Sequence, residues 1–125
     1  MFELTVKSEF EAAHRIEGYQ GKCNRLHGHN WIVEAIVVGN KLDELGMLID
    51  FKVLKAKLNQ VLDKLDHQYL NELPMFKDKN PTAENLAQLI YDFMSESEIF
   101  NNSPAQLNSI KVYESPKSCV IYRRA

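Results

Sequence analysis

The alternation of apolar and polar residues predicts a β-strand at the start of the chain. From Phe2 to Phe10 the odd-numbered positions are polar and most even-numbered positions are apolar, which is the period of a strand with one buried face. Continued without a bulge, the buried face would carry Ala12 and His14. A second strand is predicted from about residue 29 to residue 38, which is rich in Trp, Ile and Val and stops at a Gly-Asn pair.

Two amphipathic helices are predicted in the middle of the chain. Asp50 precedes apolar residues at helical spacing and is a suitable N-cap. The second helix opens at Asn80-Pro81-Thr82, where proline suits the first turn. The apolar stripes comprise Phe51, Leu54, Leu58, Val61, Leu62 and Leu65 in the first helix, and Leu86, Leu89, Ile90, Phe93 and Met94 in the second.

Two short strands, about residues 107–114 and 119–123, end the chain, so the predicted order is β-β-α-α-β-β. Strands that meet through hairpin-like turns favour an antiparallel sheet, with the helices packed on one face. We therefore predict a single α+β domain over residues 1–125, with a four-stranded antiparallel sheet and two helices. The sheet edges of such a small protein need covering, and pairing between subunits in a homo-oligomer is one way to cover them.

Composition narrows the class of protein. Apolar residues make up 45% and charged residues 26% of the chain, as in ordinary globular proteins. The net charge of −2 argues against a general nucleic-acid binder, and no apolar run is long enough to span a membrane. The N-terminal residues lack the apolar core of a signal peptide, and two widely spaced cysteines make no disulfide framework. A cytoplasmic protein is expected, with Cys119 an inert core residue.

Three histidines form a candidate zinc site. His27 and His29 are separated by one residue, so on an extended segment both imidazoles point to the same side. Gly28 between them adds no side chain on the opposite face. His14, at the end of the first strand, can join them because neighbouring strands lie about 5 Å apart. Three histidines with one open position are typical of catalytic rather than structural zinc.

Cys23 precedes the histidine pair and leaves two interpretations open. As a fourth ligand it would close a structural Cys-His₃ site. As a free thiolate beside the metal it would act as a base or nucleophile. The spacing of four residues between Cys23 and His27 does not decide between them.

Two further groups carry candidate chemistry. Asp66 and His67 are adjacent at the predicted end of the first helix, and a carboxylate beside an imidazole can hold it ready to accept or pass a proton. A histidine there also suits the helix dipole. Glu114 follows the inward face of the third predicted strand, so it is either exposed at the strand end or receives N–H donors from a ligand such as an aminopyrimidinone.

Several motifs together resemble one enzyme family. The stretch CNRLHGHNW, with EAAH before it and GMLIDF, LDHQYLN, NPTAEN and KVYES after it, resembles the 6-pyruvoyltetrahydropterin synthase family. These motifs are most similar to those of the bacterial branch of the family, the 6-carboxy-5,6,7,8-tetrahydropterin synthases of queuosine biosynthesis. The resemblance covers nearly the whole chain. It implies the tunnelling fold, a four-stranded antiparallel sheet with two helices that oligomerises into a barrel, typically a hexamer of two trimers with active sites between subunits.

The resemblance also implies roles for residues of this chain. Zn²⁺ would be the cofactor and a pterin triphosphate the substrate. The metal ligands would be His14, His27 and His29. The catalytic residues would be Cys23 as proton acceptor, with Asp66 and His67 as its relay. Glu114 would anchor the pterin ring and be linked to the relay, and Thr82 and Glu84 would approach the pterin. Thr82 also suits a helix cap.

The implied reaction converts 7,8-dihydroneopterin triphosphate to 6-carboxytetrahydropterin, acetaldehyde and triphosphate. The biopterin branch of the family stops at the 6-pyruvoyl product. Two remoter alternatives are a zinc hydrolase with a metal-bound hydroxide, and a non-enzymatic zinc module in which Cys23 holds the metal.

Overall fold

Five strands and two α-helices follow one another in the computed structural model, which describes residues 1–124. Several single-turn 3₁₀ segments connect them. The elements are β1 (Phe2–His14), β2 (His27–Gly39), α1 (Phe51–Leu62), β3 (Gln68–Tyr69), α2 (Ala83–Ser95), β4 (Gln106–Ser115) and β5 (Ser118–Tyr122).

The strands form one sheet in the order β3-β1-β2-β4-β5. The four predicted strands pair antiparallel, which confirms the α+β class. The prediction of four strands is wrong, because β3 adds a fifth that runs parallel to β1, with Ala12 opposite Gln68 and Ala13 opposite Tyr69. A strand of two residues is too short to show a period of two in the sequence. The sheet is therefore mixed rather than antiparallel throughout.

Both helices pack on the face of the sheet that carries the alternating apolar residues of β1, β2 and β4. Phe10 and Trp31 lie side by side on this face with their rings stacked at 6.0 Å between centroids. Each of these buried aromatic side chains contributes about 1.5–3 kcal/mol or more by leaving water. The core thereby fixes which face of β1 and β2 points inward, up to their last residues.

The predicted N-caps, Asp50 and Thr82, are confirmed, whereas Pro81 precedes the cap of the second helix and does not lie in its first turn. Asp50 accepts a hydrogen bond from the backbone N–H of Lys52 at 2.8 Å, and the Thr82 hydroxyl accepts one from the N–H of Asn85 at 3.1 Å. Each cap satisfies a backbone donor that the helix itself leaves unpaired.

The first helix differs from the prediction at both ends of its apolar stripe. Phe51 is 58% exposed, so burial begins at Leu54. The helix ends at Leu62, and Leu65 is buried from a turn beyond it. His67 therefore does not lie at a helix terminus, and the helix dipole has no part in its placement.

Cys119 is exposed, so the prediction of a core cysteine is wrong. In β5 both alternate faces carry apolar residues, and the sequence does not show which is buried. The register with β4 decides it, because Val120 lies opposite the buried Val112 and Cys119 opposite Tyr113. A shift of one residue exchanges the two faces of a strand.

Within residues 1–124, no helix is both long enough and apolar enough to cross a membrane.

Candidate functional site

Three histidines meet at the end of the β1–β2 hairpin. The antiparallel register places His14 directly opposite His27, and His29 opposite Ala12 on the same face. Directly opposed residues of an antiparallel pair put their side chains on one side of the sheet. The ring centroids lie 4.5 Å apart for His14 and His27, 5.1 Å for His14 and His29, and 4.7 Å for His27 and His29.

Backbone carbonyls orient two of the imidazoles. Nδ1 of His14 donates to the carbonyl of Pro81 at 2.8 Å, and Nδ1 of His27 donates to the carbonyl of Arg25 at 2.7 Å. A carbonyl oxygen only accepts, so each neutral ring carries its proton on Nδ1 and a lone pair on Nε2. The two Nε2 atoms are 2.9 Å apart. Two facing lone pairs repel unless a proton or a metal ion lies between them, and a metal ion can bind both nitrogens at once.

Glu114 of β4 brings a carboxylate to the same point. Its Oε1 lies 3.0 Å from Nε2 of His29 and 3.9 Å from Nε2 of His14. Nε2 of His29 is buried and makes no hydrogen bond within the described chain, because its contact with Glu114 lacks hydrogen-bond geometry. One ligand atom from each of His14, His27, His29 and Glu114 lies within 4.8 Å of the others.

Burial favours the neutral, metal-binding form of His14 and His29. Desolvation lowers the pKa of His14, and the hydrogen bond to the Pro81 carbonyl and, less strongly, the charge of Glu114 only partly oppose this. The pKa of His29 is lowered for the same reason, again against the influence of Glu114. Both imidazoles are therefore mainly neutral at neutral pH, with lone pairs available to a cation.

The donor set suits zinc. Imidazole nitrogens and a carboxylate oxygen are ligands that Zn²⁺ takes in proteins, and the carbonyl groups on Nδ1 are the outer partners that usually orient such histidines. Trp31 forms the base of the cluster, with its ring 5.0 Å from those of His14 and His29, and its Nε1 donates to the Ala12 carbonyl at 3.3 Å. The three histidines predicted from the sequence are therefore brought together on a rigid, buried support.

Cys23 lies on a single 3₁₀ turn, Lys22–Asn24, in the connection between β1 and β2. Its thiol is half-buried, and its backbone carbonyl accepts from the N–H of Ile16 at 2.7 Å. The fourth group at the histidine cluster is Glu114 rather than Cys23. This geometry favours the interpretation in which Cys23 is free of the metal.

Asp66 and His67 are docked against the edge of β1. Asp66 Oδ1 accepts from the backbone N–H of Glu11 at 2.9 Å and lies 3.0 Å from Nδ1 of His67. The backbone of His67 is left-handed, with φ of 56°, which is uncommon for a residue other than glycine. Its imidazole is 74% exposed. Within residues 1–124, neither member of this pair makes a hydrogen bond or ion pair with Cys23.

Glu11 is a further member of this group that the sequence did not indicate. Its Oε2 lies 3.5 Å from Nε2 of His67, so the imidazole stands between two carboxylates. Glu11 and His67 are far apart in sequence and meet through the pairing of β3 with β1. No local pattern predicts a contact of this kind.

Replacing Asp66 by asparagine is expected to lower Tm near pH 7, with the difference from wild type narrowing in acid. The Glu11 N–H, and next the His67 side chain, hold the pKa of the Asp66 carboxyl below its usual value of 3.8. A carboxyl with a depressed folded-state pKa stabilises the fold above its unfolded pKa, and this stabilisation is lost as the pH falls through the lower, folded pKa. Thermal unfolding followed by circular dichroism from about pH 7 to about pH 3 measures this.

A matched control is Asp63→Asn, which removes the same charge at an exposed position. Its side chain makes no hydrogen bond or ion pair within residues 1–124, and we expect little change in Tm near neutral pH. A Tm difference between wild type and Asp66→Asn that stays constant over the whole pH range would contradict the assignment.

An open cavity of about 590 Å³ lies beside His67, where the ends of β1, β2 and β3 meet. This volume is in the range of small-molecule sites. The lining includes Glu11, Gly28, His29, Asn30, His67 and Tyr69. Glu11, Gly28 and Asn30 alternate with the three histidines along β1 and β2, so this cavity lies on the face of the sheet opposite the histidine side chains and borders the His67 imidazole.

Thr82 and Glu84 stand at the start of α2. The Thr82 hydroxyl is occupied as the helix cap, and Glu84 is exposed in the first turn. The preceding residue, Pro81, supplies the carbonyl that orients His14. The NPTAEN segment thus adjoins the histidine cluster through its backbone.

Comparison with known proteins identifies the family. A family model described as 6-pyruvoyl tetrahydropterin synthase matches residues 3–125. A Synechocystis sp. protein named 6-carboxy-5,6,7,8-tetrahydropterin synthase is 36% identical over 127 residues, which cover 98% of this chain and 93% of that protein. A Dictyostelium discoideum protein named 6-pyruvoyl tetrahydrobiopterin synthase is 32% identical over 132 residues, covering 96% and 94% of the two chains.

Comparison of the fold with solved structures points to the same family. The solved structure of Caenorhabditis elegans 6-pyruvoyl tetrahydropterin synthase matches with a TM-score of 0.85 and 28% identity, covering 99% of this chain and 96% of that one. The resemblance drawn from the sequence motifs is thereby confirmed. The chain belongs to the 6-pyruvoyl tetrahydropterin synthase family and is a lyase.

Proposed function

We propose that the protein is a zinc-dependent 6-carboxy-5,6,7,8-tetrahydropterin synthase. It converts 7,8-dihydroneopterin triphosphate and one water to 6-carboxytetrahydropterin, acetaldehyde and triphosphate, within queuosine (7-deazaguanine) biosynthesis. The observation that carries the proposal is the convergence of three histidine nitrogens and the Glu114 carboxylate at the end of the β1–β2 hairpin. The name of the Synechocystis relative supports the choice of product.

His14, His27 and His29 are the proposed zinc ligands. Zinc, when bound, would act as a Lewis acid toward the side-chain oxygens of the substrate and make the neighbouring C–H bonds more acidic. The Pro81 and Arg25 carbonyls keep the Nδ1 protons in place, so the Nε2 lone pairs stay directed to one point. A rigid cluster of this kind needs little rearrangement when it binds an ion.

Cys23 is the proposed base, and as thiolate it removes and returns protons on the substrate side chain. Asp66 holds the Nδ1 side of His67, so that the exposed ring can exchange a proton with Cys23 or the substrate. The Glu114 carboxylate accepts two hydrogen bonds, one from each of two adjacent N–H groups of the pterin ring. Thr82 and Glu84 approach the ring from the start of α2.

The proposed site is completed between subunits. Cys23 and the Asp66–His67 pair have no contact within the described part of one chain, although the reaction needs them together. The β1 edge is paired by β3 only at Ala12 and Ala13, which leaves most of a long strand open to a neighbouring subunit. We propose a homo-oligomer, a hexamer built as a dimer of trimers, whose strands close into a barrel.

The test is to incubate the purified enzyme, with zinc, with 7,8-dihydroneopterin triphosphate and to assay acetaldehyde and the pterin product. We expect acetaldehyde and 6-carboxytetrahydropterin in equal amounts. The second candidate is 6-pyruvoyltetrahydropterin synthase activity, which the Dictyostelium relative and the Caenorhabditis structure carry in their names. Triphosphate release with a 6-pyruvoyl product and no acetaldehyde would establish that candidate instead.

A further inference from the structure

We propose that Glu114 is a fourth protein ligand of the metal in the substrate-free enzyme, and that substrate binding moves its carboxylate from the metal to the pterin. This inference rests on the proposed function for the identity of the metal and of the substrate. It gives one carboxylate two successive partners at the same site.

The position of Glu114 is that of a ligand. Its Oε1 is 3.0 Å from Nε2 of His29, which lies buried without a hydrogen bond in the described chain. The same Oε1 is 3.9 Å from Nε2 of His14, and one ligand atom from each of the four residues lies within 4.8 Å of the others, so a single ion can contact all of them. Three imidazoles and a carboxylate are a donor set that Zn²⁺ takes in proteins.

The charge of the site explains why the carboxylate must leave. Three neutral imidazoles leave a divalent ion with its full charge of about +2, and one carboxylate reduces the sum to about +1. A Lewis acid that makes a C–H bond acidic works better with the larger positive charge. The substrate offers Glu114 a replacement partner, because the adjacent N–H groups of an aminopyrimidinone match a carboxylate in a bidentate way.

The backbone gives Glu114 room to move. The β2–β4 pairing ends at Ile32 and Tyr113, and the register of β4 with β5 shifts between Tyr113 and Ser115. Glu114 therefore lies at an irregularity of the ladder, a feature that often re-aims a side chain beside an active site. Its side chain is 34% exposed, whereas His14 is 1% exposed. Backbone carbonyls hold His14 and His27 in place, whereas the more exposed carboxylate of Glu114 has the freedom to change partners.

The experiment replaces zinc by Co²⁺ in the full-length protein and records its visible absorption spectrum, which reports the ligands of the ion. We expect Glu114→Gln and Glu114→Ala to change the spectrum and to weaken Co²⁺ and Zn²⁺ binding by at least about tenfold, the smallest loss typical even of an outer-shell partner. Adding 7,8-dihydroneopterin, which lacks the triphosphate leaving group, should shift the wild-type spectrum toward that of Glu114→Gln. Chelator competition measures the affinities.

Glu3→Gln is the matched control, because Glu3 is an exposed carboxylate on β1, away from the cluster. Its spectrum and metal affinity should equal those of wild type. Wild-type spectra and affinities in both Glu114 variants would overturn the ligand assignment, and a wild-type spectrum unchanged by saturating 7,8-dihydroneopterin would overturn the exchange. Neither measurement involves turnover, so failure of the acetaldehyde assay would reject the proposed reaction without affecting this result.

Discussion

Replacing Cys23 by alanine is expected to lower kcat by roughly 10²–10⁴-fold, the usual contribution of a positioned acid–base group, while zinc stays bound at the wild-type ratio. The thiol is half-buried and is not among the four side chains that converge on the proposed metal position. Its removal therefore takes away the proposed proton acceptor without altering the four side chains of the proposed metal site. Turnover of 7,8-dihydroneopterin triphosphate and zinc content per chain are the two measurements.

The matched control is Cys119→Ala, because Cys119 is exposed on β5 and lies opposite Tyr113, away from the histidine cluster. We expect wild-type turnover and wild-type zinc content. This comparison also separates the two remoter alternatives. A Cys23→Ala protein that keeps substantial turnover would support a zinc hydrolase with a metal-bound hydroxide, and one that loses zinc and unfolds would support a structural zinc module.

Replacing His14 by alanine is expected to remove zinc from the protein and abolish turnover. His14 is the most deeply buried of the three histidines, and its Nε2 lies 2.9 Å from that of His27. Loss of a ligand should weaken zinc binding by more than the roughly 10–100-fold typical of an outer-shell partner. The variant also leaves the Pro81 carbonyl without its donor, at a cost of about 1–3 kcal/mol of stability. Zinc content after gel filtration and chelator competition measure the effect.

His29→Ala separates ligand loss from damage to the fold, because the His29 side chain is only partly buried and has no orienting carbonyl comparable to that of Pro81 in the described chain. It should lose zinc while its circular dichroism spectrum stays close to that of wild type. His67→Ala removes an exposed imidazole outside the cluster and should retain zinc. Stoichiometric zinc in both His14→Ala and His29→Ala would show that these histidines do not hold the metal.

The common orientation of the three histidines can be predicted from the two-residue period of the strands alone. Alternation along β1 places His14 on the same face as Phe10, and the single residue between His27 and His29 places both on one face of β2. The helix caps at Asp50 and Thr82 can also be predicted from the sequence, because capping depends on neighbouring residues only.

Other features depend on contacts between residues distant in sequence. Glu11 contacts His67 because β3 pairs in parallel with β1. A strand of two residues is too short to show an alternation of apolar and polar positions, so the sequence does not predict this pairing. The register of β5 against β4 turns Cys119 outward, although its strand is apolar on both faces. In each case the local sequence allows two arrangements, and the packing of the whole sheet selects one.

The amino-acid sequence by itself thus determined the family and the shared face of His14, His27 and His29, because these depend on residue type and on strand period. Only the tertiary structure decided that the Glu114 carboxylate comes within 3.0 Å of His29, and that Cys23 is not the fourth group of the cluster. The reason is that distances across a sheet are set by strand register, which arises from the burial of all its strands together and is not encoded in the spacing of any one motif.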